Sequence, residues 1–433
     1  MKIPEDLGIE VGDLVRVRKG DIVYEGIAMP KHSYSAPDML VIKLGSGYNI
    51  GVKIDSTASV EVIRRRTEPQ KQREISAKPV GSGPAIKIIG TGGTIASKVE
   101  YETGAVKPAM SPEELLEIIP EASEIASIDV EIIMSILSEN MEPGYWERIA
   151  EGIYRSMITG YEGIVVTHGT DTMGYTASAI AFAVQDMKIP VVFVGSQRSS
   201  DRPSTDAAIN FVGALIAASR APFAESVVAM HADTSDTEIA IHRGTRVRKM
   251  HTSRRDAFQS INARPIAKVD PYRRELRIID SDYRPRGKGE PKLFNGFERK
   301  VALIYSYPGI ESEIIDMLID KRYRGIVIAG TGFGHVPEKL IPTLRRAVEE
   351  GIPVAITSQT LYGRVNLMIY TTGREMLRAG VIPCEDMLPE TAYVKLSWIL
   401  RRTRELDEVR RLMLTNIAGE ISTRHNIDLY RKT

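Results

Sequence analysis

Three polar segments of this chain carry side chains that could attack and break a covalent bond. Thr94 ends the sequence GTGGT, which follows a short apolar run at 85–89. Thr170 and Asp171 lie in THGTDT, directly after the apolar run GIVVT. The basic run 242–255 offers a lysine, although the run alone does not single it out. A threonine hydroxyl becomes a good nucleophile when a neighbouring base removes its proton, so these residue types suit nucleophilic catalysis.

Each segment also has a purely structural interpretation. The glycines of GTGGT could simply turn a strand into a helix. Asp171 or Thr172 could cap the next helix by accepting its free amides. His168 is expected to pack or to hydrogen-bond, because no partner has metal-site spacing. The charges of the basic run are expected to be mostly solvated. The residues alone leave these alternatives open.

Composition restricts the class of protein. The chain has 433 residues, which predicts two or three domains, and 57 basic side chains balance 56 acidic ones. The single cysteine, Cys384, excludes an internal disulfide framework and a cysteine-rich metal site. No signal-peptide pattern and no apolar run of about 18 residues is present, so we expect a cytoplasmic protein without membrane association.

The elements that must position these side chains alternate between strands and helices. Such alternation predicts an α/β body with a largely parallel sheet, in which ligands bind where strands end. The predicted strands are 86–90, 130–136, 163–167, 191–195 and 226–230, and the predicted helices are 112–119, 143–158, 173–185 and 205–218.

Other segments flank this region. Roughly five short strands at the N-terminus predict a small β-barrel, which could bind RNA or protein or serve only as a folding unit. A smaller parallel α/β domain follows, and its charged tail is expected to present a solvated helix face, with docking of a partner or tRNA as the alternative. The predicted domains are a β-barrel module (1–68), a linker (69–84), the chemistry-bearing domain (85–285), a linker (286–299) and a smaller domain with a helical tail (300–433).

Three motifs resemble the bacterial-type L-asparaginase family: TGGTIAS at 91–97, THGTDTMGYTA at 167–177 and VVFVGSQR at 191–198. The resemblance extends from about residue 85 to beyond 400. With its N-terminal module, the chain resembles the family of D subunits of archaeal glutamyl-tRNA(Gln) amidotransferases. The implied fold is α/β, an asparaginase-like two-domain parallel-sheet body preceded by a small N-terminal β-barrel module.

The resemblance implies a set of functional residues. Lys249 is chosen because the family lysine precedes an F-x-S tripeptide, here Phe258 to Ser260, by a short distance. Glu139 stands where the family usually has glutamine, and His335 lies near a common asparagine but receives no role. The implied catalytic residues are Thr94, Thr170, Asp171, Lys249 and Tyr101, and the implied substrate-binding residues are Ser138, Glu139, Gly93 and Gly169, with no metal ligand.

The resulting hypothesis has two relays. Thr94 attacks a side-chain amide with assistance from Tyr101, while Thr170, Lys249 and Asp171 activate Thr170 or the hydrolytic water. Which threonine attacks is left open. Lysine acts as a base only when neutral, so the neighbouring Asp171 is assigned to orientation and charge balance. Main-chain amides near Gly93 and Gly169 could hold the oxyanion.

The implied function is release of ammonia from free glutamine or asparagine. A partner, the E subunit of the amidotransferase, would use that ammonia to convert Glu-tRNA(Gln) to Gln-tRNA(Gln), and ATP and Mg are expected on that partner, with no cofactor in this chain. A homodimer of this chain within a heterotetramer is expected. The alternatives are a stand-alone L-asparaginase and an inactive scaffold that binds RNA or protein.

Overall fold

The N-terminal module is an antiparallel sheet of five short strands. The computed structural model describes residues 8–29, 36, 38–44, 49–65, 83–92, 97–99, 106–108, 119–198, 204–424 and 429. The module's strands are β1 (Leu14–Lys19), β2 (Ile22–Ala28), β3 (Met39–Leu44), β4 (Asn49–Lys53) and β5 (Ala58–Arg64). They pair in the order β4-β3-β2-β1-β5. Val15 and Val17 alternate into a small core with Leu40 and Ile42. The predicted small β module is therefore present, although no pairing of β4 with β5 that would close it into a barrel occurs within its described residues.

An eight-stranded sheet forms the core of the next domain. Its strands are β6 (Ala85–Gly92), β9 (Ser127–Ile136), β10 (Gly163–Thr167), β12 (Val191–Val194), β13 (Ser226–His231), β14 (Ile239–Arg243), β17 (Ala267–Asp270) and β18 (Glu275–Ile278). Their order is β18-β17-β14-β13-β12-β10-β6-β9. From β9 to β13 all neighbours are parallel, as predicted, and their buried runs are covered on both faces. The antiparallel extension through β14, β17 and β18 was not predicted.

Helices and short strand pairs complete this domain. Its helices are α1 (Pro143–Ile158), α2 (Met173–Ala183) and α3 (Ala207–Arg220), and its short pairs are β7 (Ser97–Val99) with β8 (Val106–Pro108), β11 (Val184–Gln185) with β19 (Lys292–Leu293), and β15 (Val247–Lys249) with β16 (Phe258–Ser260). Almost every side chain of α2 is buried, as expected for a helix that is apolar on all faces. The predicted helix at 112–119 lies, except for its last residue, outside the described residues.

The last domain contains a four-stranded parallel sheet. Its elements are β20 (Val301–Tyr305), β21 (Gly325–Gly330), β22 (Val354–Ser358), β23 (Ile382–Pro383), α4 (Glu313–Asp320), α5 (Ile341–Glu349), α6 (Thr371–Arg378), α7 (Pro389–Leu400) and α8 (Leu406–Leu414). Helix α7 packs between this sheet and α2, so one apolar core joins the two domains. Phe182 and Trp398 meet there with ring centroids 6.0 Å apart.

The segment 286–299 contributes to the same packing. Its short strand β19 pairs with β11, and Phe297 is buried against Trp146 with ring centroids 5.3 Å apart. Fully burying a phenylalanine side chain contributes about 1.5–3 kcal/mol, so this connection stabilises the body as well as joining its domains. None of the helices in the described ranges combines the length and apolar content needed to cross a bilayer.

Candidate active site

The carboxyl ends of four parallel strands, β9, β6, β10 and β12, meet at one edge of the large sheet. There the Thr91 hydroxyl donates a hydrogen bond of 2.8 Å to the Thr167 carbonyl, which ties β6 to β10. Gly92 has a φ of +121°, and a Cβ on it would lie 2.1 Å from the Ile136 carbonyl oxygen. Only glycine satisfies both conditions, so the first glycine-rich motif leaves β6 in tight contact with β9.

The loop that follows β10 packs against the residues that follow β9 and β12. A Cβ on Gly169 would lie 2.7 Å from the Ser138 Oγ, and a Cβ on Gly195 would lie 2.8 Å from the Thr170 Cγ2. These two glycines therefore bring three exits together. The Thr172 hydroxyl also donates to the Ser138 carbonyl at 2.7 Å. The predicted substrate-binding residues Ser138 and Gly169 are thus in contact.

Lys249 reaches this edge from the β15–β16 hairpin. It lies opposite Phe258, the first residue of the tripeptide from which the sequence identified it. Its Nζ is 2.8 Å from the Thr170 Oγ1 and 2.7 Å from the Asp171 Oδ1. The Lys249 side chain is 14% exposed and that of Asp171 is 65% exposed, whereas Thr170 is buried. The three predicted residues therefore form one contact chain that runs from the interior to the surface.

The contacts of this loop differ from those of a helix cap. Helix α2 has Thr172 at its N-cap position, but no side chain hydrogen-bonds the free amides there. The Thr172 hydroxyl donates to the Ser138 carbonyl, and the Asp171 carboxylate accepts from the Lys249 Nζ. The capping interpretation of THGTDT is therefore wrong, because both candidate caps are held by partners on other elements.

The residues before Lys249 are less solvated than the basic run suggested. Arg246 is almost completely buried, and its Nη1 lies 3.0 Å from the Asp386 Oδ2. Arg243 pairs with Glu225 at 2.7 Å. The expectation of mostly solvated charges is wrong for these two arginines, because each is paired with a buried carboxylate from outside the basic run. The result is a hairpin with a fixed base.

His168 lies beneath the loop and is fully buried. Its Nδ1 is 2.7 Å from the Gly169 carbonyl oxygen, and its Nε2 is 2.9 Å from the Thr176 Oγ1. Burial lowers the pKa of His168 to about 4, so the imidazole is neutral near pH 7. The expected hydrogen-bonding histidine is present, and no group of three or more potential metal-ligating side chains is assembled among the described residues. The sequence did not indicate that the His168 imidazole hydrogen-bonds directly to the Gly169 carbonyl.

The remaining predicted residues fall into two groups. Glu139 is exposed beside Ser138. His335 lies in the turn after β21, where its ring packs edge-on against Tyr370 at 5.3 Å and partial burial lowers its pKa. Three predicted residues lie outside the described residues: Gly93, Thr94 and Tyr101.

Comparisons with known proteins cover both the body and the module. The family described as "Asparaginase, N-terminal" matches residues 85–281, "Glutaminase/Asparaginase C-terminal domain" matches 300–413, and "GatD N-terminal domain" matches 9–63. The D subunit of the glutamyl-tRNA(Gln) amidotransferase of Pyrococcus abyssi is 51% identical, over 99% of this chain and 100% of that protein. Its counterpart from Saccharolobus islandicus is 49% identical, over 99% of this chain and 96% of that protein.

Solved structures resemble the body. The thermostable L-asparaginase from Thermococcus kodakarensis superposes with a TM-score of 0.70 at 36% identity, covering 78% of this chain and 100% of that one. L-asparaginase I from Vibrio cholerae gives a TM-score of 0.68 at 29% identity, covering 79% of this chain and 100% of that one. The similarity to asparaginases therefore leaves about a fifth of this chain uncovered.

Proposed function

This chain belongs to the family of D subunits of glutamyl-tRNA(Gln) amidotransferases, and we propose that it releases ammonia from a side-chain amide through a threonine–lysine–aspartate relay. It is the amidase subunit of such an amidotransferase. The observation that carries the site assignment is the position of the Lys249 Nζ, within 3 Å of both the Thr170 Oγ1 and the Asp171 Oδ1.

Lys249 can keep both of its hydrogen bonds whether its amine is charged or neutral. A charged Lys249 donates to the Thr170 hydroxyl and to the Asp171 carboxylate. A neutral Lys249 still donates to Asp171, while its lone pair accepts the hydroxyl proton of Thr170. The same short contact therefore lets a proton pass between Thr170 and Lys249 without movement of heavy atoms. Asp171 stays in place as the orienting group in both states.

The proposed reaction has two steps. In the first, a threonine Oγ bonds to the amide carbon, the hydroxyl proton passes to the leaving nitrogen, and the C–N bond breaks to release ammonia. In the second, water attacks the resulting ester, so that the acid forms and the threonine hydroxyl is restored. Thr94, assisted by Tyr101, is the proposed first nucleophile, and Thr170 with Lys249 activates the water; the reverse assignment is the alternative.

The remaining assignments are proposals that follow from the family name. The partner is the E subunit, which carries ATP and Mg and uses the ammonia on Glu-tRNA(Gln). Free glutamine or asparagine is the ammonia donor, and this chain forms a homodimer within a heterotetramer. No cofactor is proposed for this chain, and its proposed location is the cytoplasm.

The test measures ammonia released from glutamine and from asparagine by the purified chain, alone and with the E subunit, ATP, Mg and Glu-tRNA(Gln). We expect glutamine hydrolysis that rises at least tenfold with the full set and is lost in Thr94→Ala and Thr170→Ala. Thr237→Ala is the control, because Thr237 is a threonine of the surface. Full hydrolysis by Thr170→Ala would overturn the relay.

A stand-alone asparaginase is the second candidate, favoured by the match of the body to asparaginases over their whole length. It predicts asparagine hydrolysis at the full rate without partner or tRNA, whereas the amidotransferase assignment predicts dependence on both. Thr94→Ala and Thr170→Ala lose activity under either candidate, so the dependence on additions distinguishes them.

A further inference from the structure

A buried string of hydrogen bonds connects helix α1 to the loop that carries Thr170. The Trp146 Nε1 lies 3.2 Å from the Thr176 Oγ1, which lies 2.9 Å from the His168 Nε2. The His168 Nδ1 lies 2.7 Å from the Gly169 carbonyl oxygen. At most 3% of any of these three side chains is exposed. The string therefore ends on the peptide bond directly before Thr170.

The carbonyl at one end fixes the direction of the bonds on the imidazole. The Gly169 carbonyl can only accept, so the proton of the neutral His168 ring lies on Nδ1, and the unprotonated Nε2 accepts from the Thr176 hydroxyl. The indole nitrogen of Trp146 can only donate, and the Thr176 oxygen accepts from it. The Thr172 carbonyl is a second acceptor for the Thr176 hydroxyl, but at 3.4 Å it is farther away than the His168 Nε2.

The bond to Gly169 decides which way the next amide faces. In a trans peptide the C=O and N–H groups point in opposite directions. Since the Gly169 carbonyl is held towards the imidazole, the N–H of Thr170 faces away from His168. This amide has no hydrogen-bond acceptor among the described residues.

Because residue 169 is a glycine, another residue must fix the orientation of the peptide bond that follows it. A Cβ at position 169 would lie 2.7 Å from the Ser138 Oγ, so only glycine fits beside that serine. Glycine also has the greatest backbone freedom, and its peptide groups rotate more readily than those of other residues. Close contact with Ser138 and a fixed peptide orientation are therefore achieved by two different residues, Gly169 and His168.

We propose that His168 is a positioning residue that holds the Gly169–Thr170 peptide so that the Thr170 N–H stabilises the oxyanion formed when the substrate amide is attacked. The inference rests on the proposed function, because it places the reacting carbonyl beside Thr170. His168 does not touch substrate; it acts through the carbonyl oxygen to which it donates. Thr176 acts one step further away, by selecting the donating tautomer.

The first test compares three substitutions of His168. Asparagine places an N–H donor near the position of Nδ1, glutamine places its amide near Nε2, and phenylalanine removes both. We expect His168→Phe to lower kcat for ammonia release by about 10²-fold or more, the cost of one lost oxyanion donor, with KM within about threefold. His168→Asn should recover kcat to within about tenfold of wild type, and His168→Gln should not. Equal kcat values for the asparagine and phenylalanine variants would overturn the proposal.

A second measurement reads the tautomer in the wild-type protein and requires no activity from the variants. In the wild-type protein labelled with ¹⁵N-histidine, the resonances of His168, assigned by their absence from His168→Asn, should show a neutral ring protonated on Nδ1. Thr176→Val should mix the two tautomers and lower kcat, whereas Trp146→Phe should leave the tautomer unchanged. A wild-type ring protonated on Nε2 would overturn the proposal outright.

Lys249→Met separates this inference from the proposed function. Full ammonia release by Lys249→Met would refute the relay. Loss of activity in Lys249→Met together with an unchanged kcat in His168→Phe would refute only the role of His168.

Discussion

Two lysine–carboxylate pairs of similar length occupy two regions of this molecule. At the strand edge, Lys249 lies 2.7 Å from Asp171; in the C-terminal region, Lys395 lies 2.6 Å from Glu420. The second pair is fully buried. Lys395 also donates to the carbonyls of Met413 and Thr415, so all three of its hydrogens are used.

Glu420 is satisfied in the same way, because it also accepts hydrogen bonds from the backbone amides of Ile417 and Ala418. Burial lowers the pKa of Lys395, an effect that Glu420 opposes. Lys249, in contrast, shares its nitrogen with a hydroxyl, and its acidic partner is 65% exposed. The distance to the carboxylate does not distinguish the lysine that we propose as catalytic from the structural one; the other contacts of the two nitrogens do.

Lys249→Met should have the largest effect. We expect ammonia release to fall by about 10³-fold, within the range for loss of a general acid–base group, while the melting temperature stays close to that of wild type. Lys292→Met is the matched control, because Lys292 forms an exposed pair with Asp186 at 3.0 Å. Ammonia assays and thermal unfolding on the same preparations check both expectations. Equal activities of the two variants would remove the contrast between the regions.

Lys395→Met should show the opposite pattern. Removing one partner leaves the Glu420 carboxylate buried and unpaired, which costs about 3–5 kcal/mol of unfolding free energy. The double variant Lys395→Met/Glu420→Leu should recover part of this loss, because no buried charge then remains. Urea unfolding measures the stability, and ammonia release per folded molecule at low temperature should stay near that of wild type. Loss of activity without loss of stability would contradict the structural assignment.

Buried histidines should give a pH-dependent effect of smaller size. Burial lowers the pKa of His168 to about 4 and that of His242 to about 3. Below about pH 6.5 the unfolded chain binds protons that the native chain does not, so stability decreases as pH falls towards 4 and is restored as pH rises. His168 alone accounts for about 3 kcal/mol over this window, at roughly 1.4 kcal/mol per pKa unit.

The measurement is the free energy of unfolding at a series of pH values from 7 to about 4.5, for wild type and His168→Asn. The difference between the two proteins isolates one histidine from the carboxylates that titrate in the same window. If the unfolding free energies of the two proteins changed in parallel with pH, His168 would take up its proton as readily in the folded state as in the unfolded state, which would contradict the prediction.

Asp171→Asn should have the smallest effect on stability. The side chain is largely exposed, so loss of its ion pair should change the unfolding free energy by less than about 1 kcal/mol. Ammonia release should still fall about tenfold or more, because Lys249 loses its orienting partner. Urea unfolding and ammonia assays on one preparation test both parts. A large loss of stability in Asp171→Asn would contradict this prediction, because the Lys249–Asp171 pair would then be structural, like that of Lys395 and Glu420.

The sequence predicted the parallel strands because each is a short, nearly uninterrupted apolar run, such as 163–167 or 191–195. It did not predict β17 and β18, because each has only four residues, too few for their alternation of polar and apolar side chains to stand out. The buried state of Arg246 could not be read locally, since Asp386 lies far along the chain.

For the site, the strand-exit rule and the family motifs selected Thr170, Asp171 and Lys249, which the structure brings together. Their catalytic roles stay predictions. The bond from His168 to Gly169 was not predictable, because it depends on the orientation of a single peptide group.

The attachment of the tail to the β15–β16 hairpin has a consequence for the timing of synthesis. The Thr245 hydroxyl donates to the Ala418 carbonyl, and the Arg246 Nε donates to that of Gly419. These acceptors leave the ribosome long after Lys249 does. A nascent or clipped chain that lacks them keeps the pairs of Arg243 with Glu225 and of Arg246 with Asp386, but it loses the two hydrogen bonds that hold the residues directly before Lys249's strand. We therefore expect ammonia release to reach its full rate only after this late segment has been synthesised.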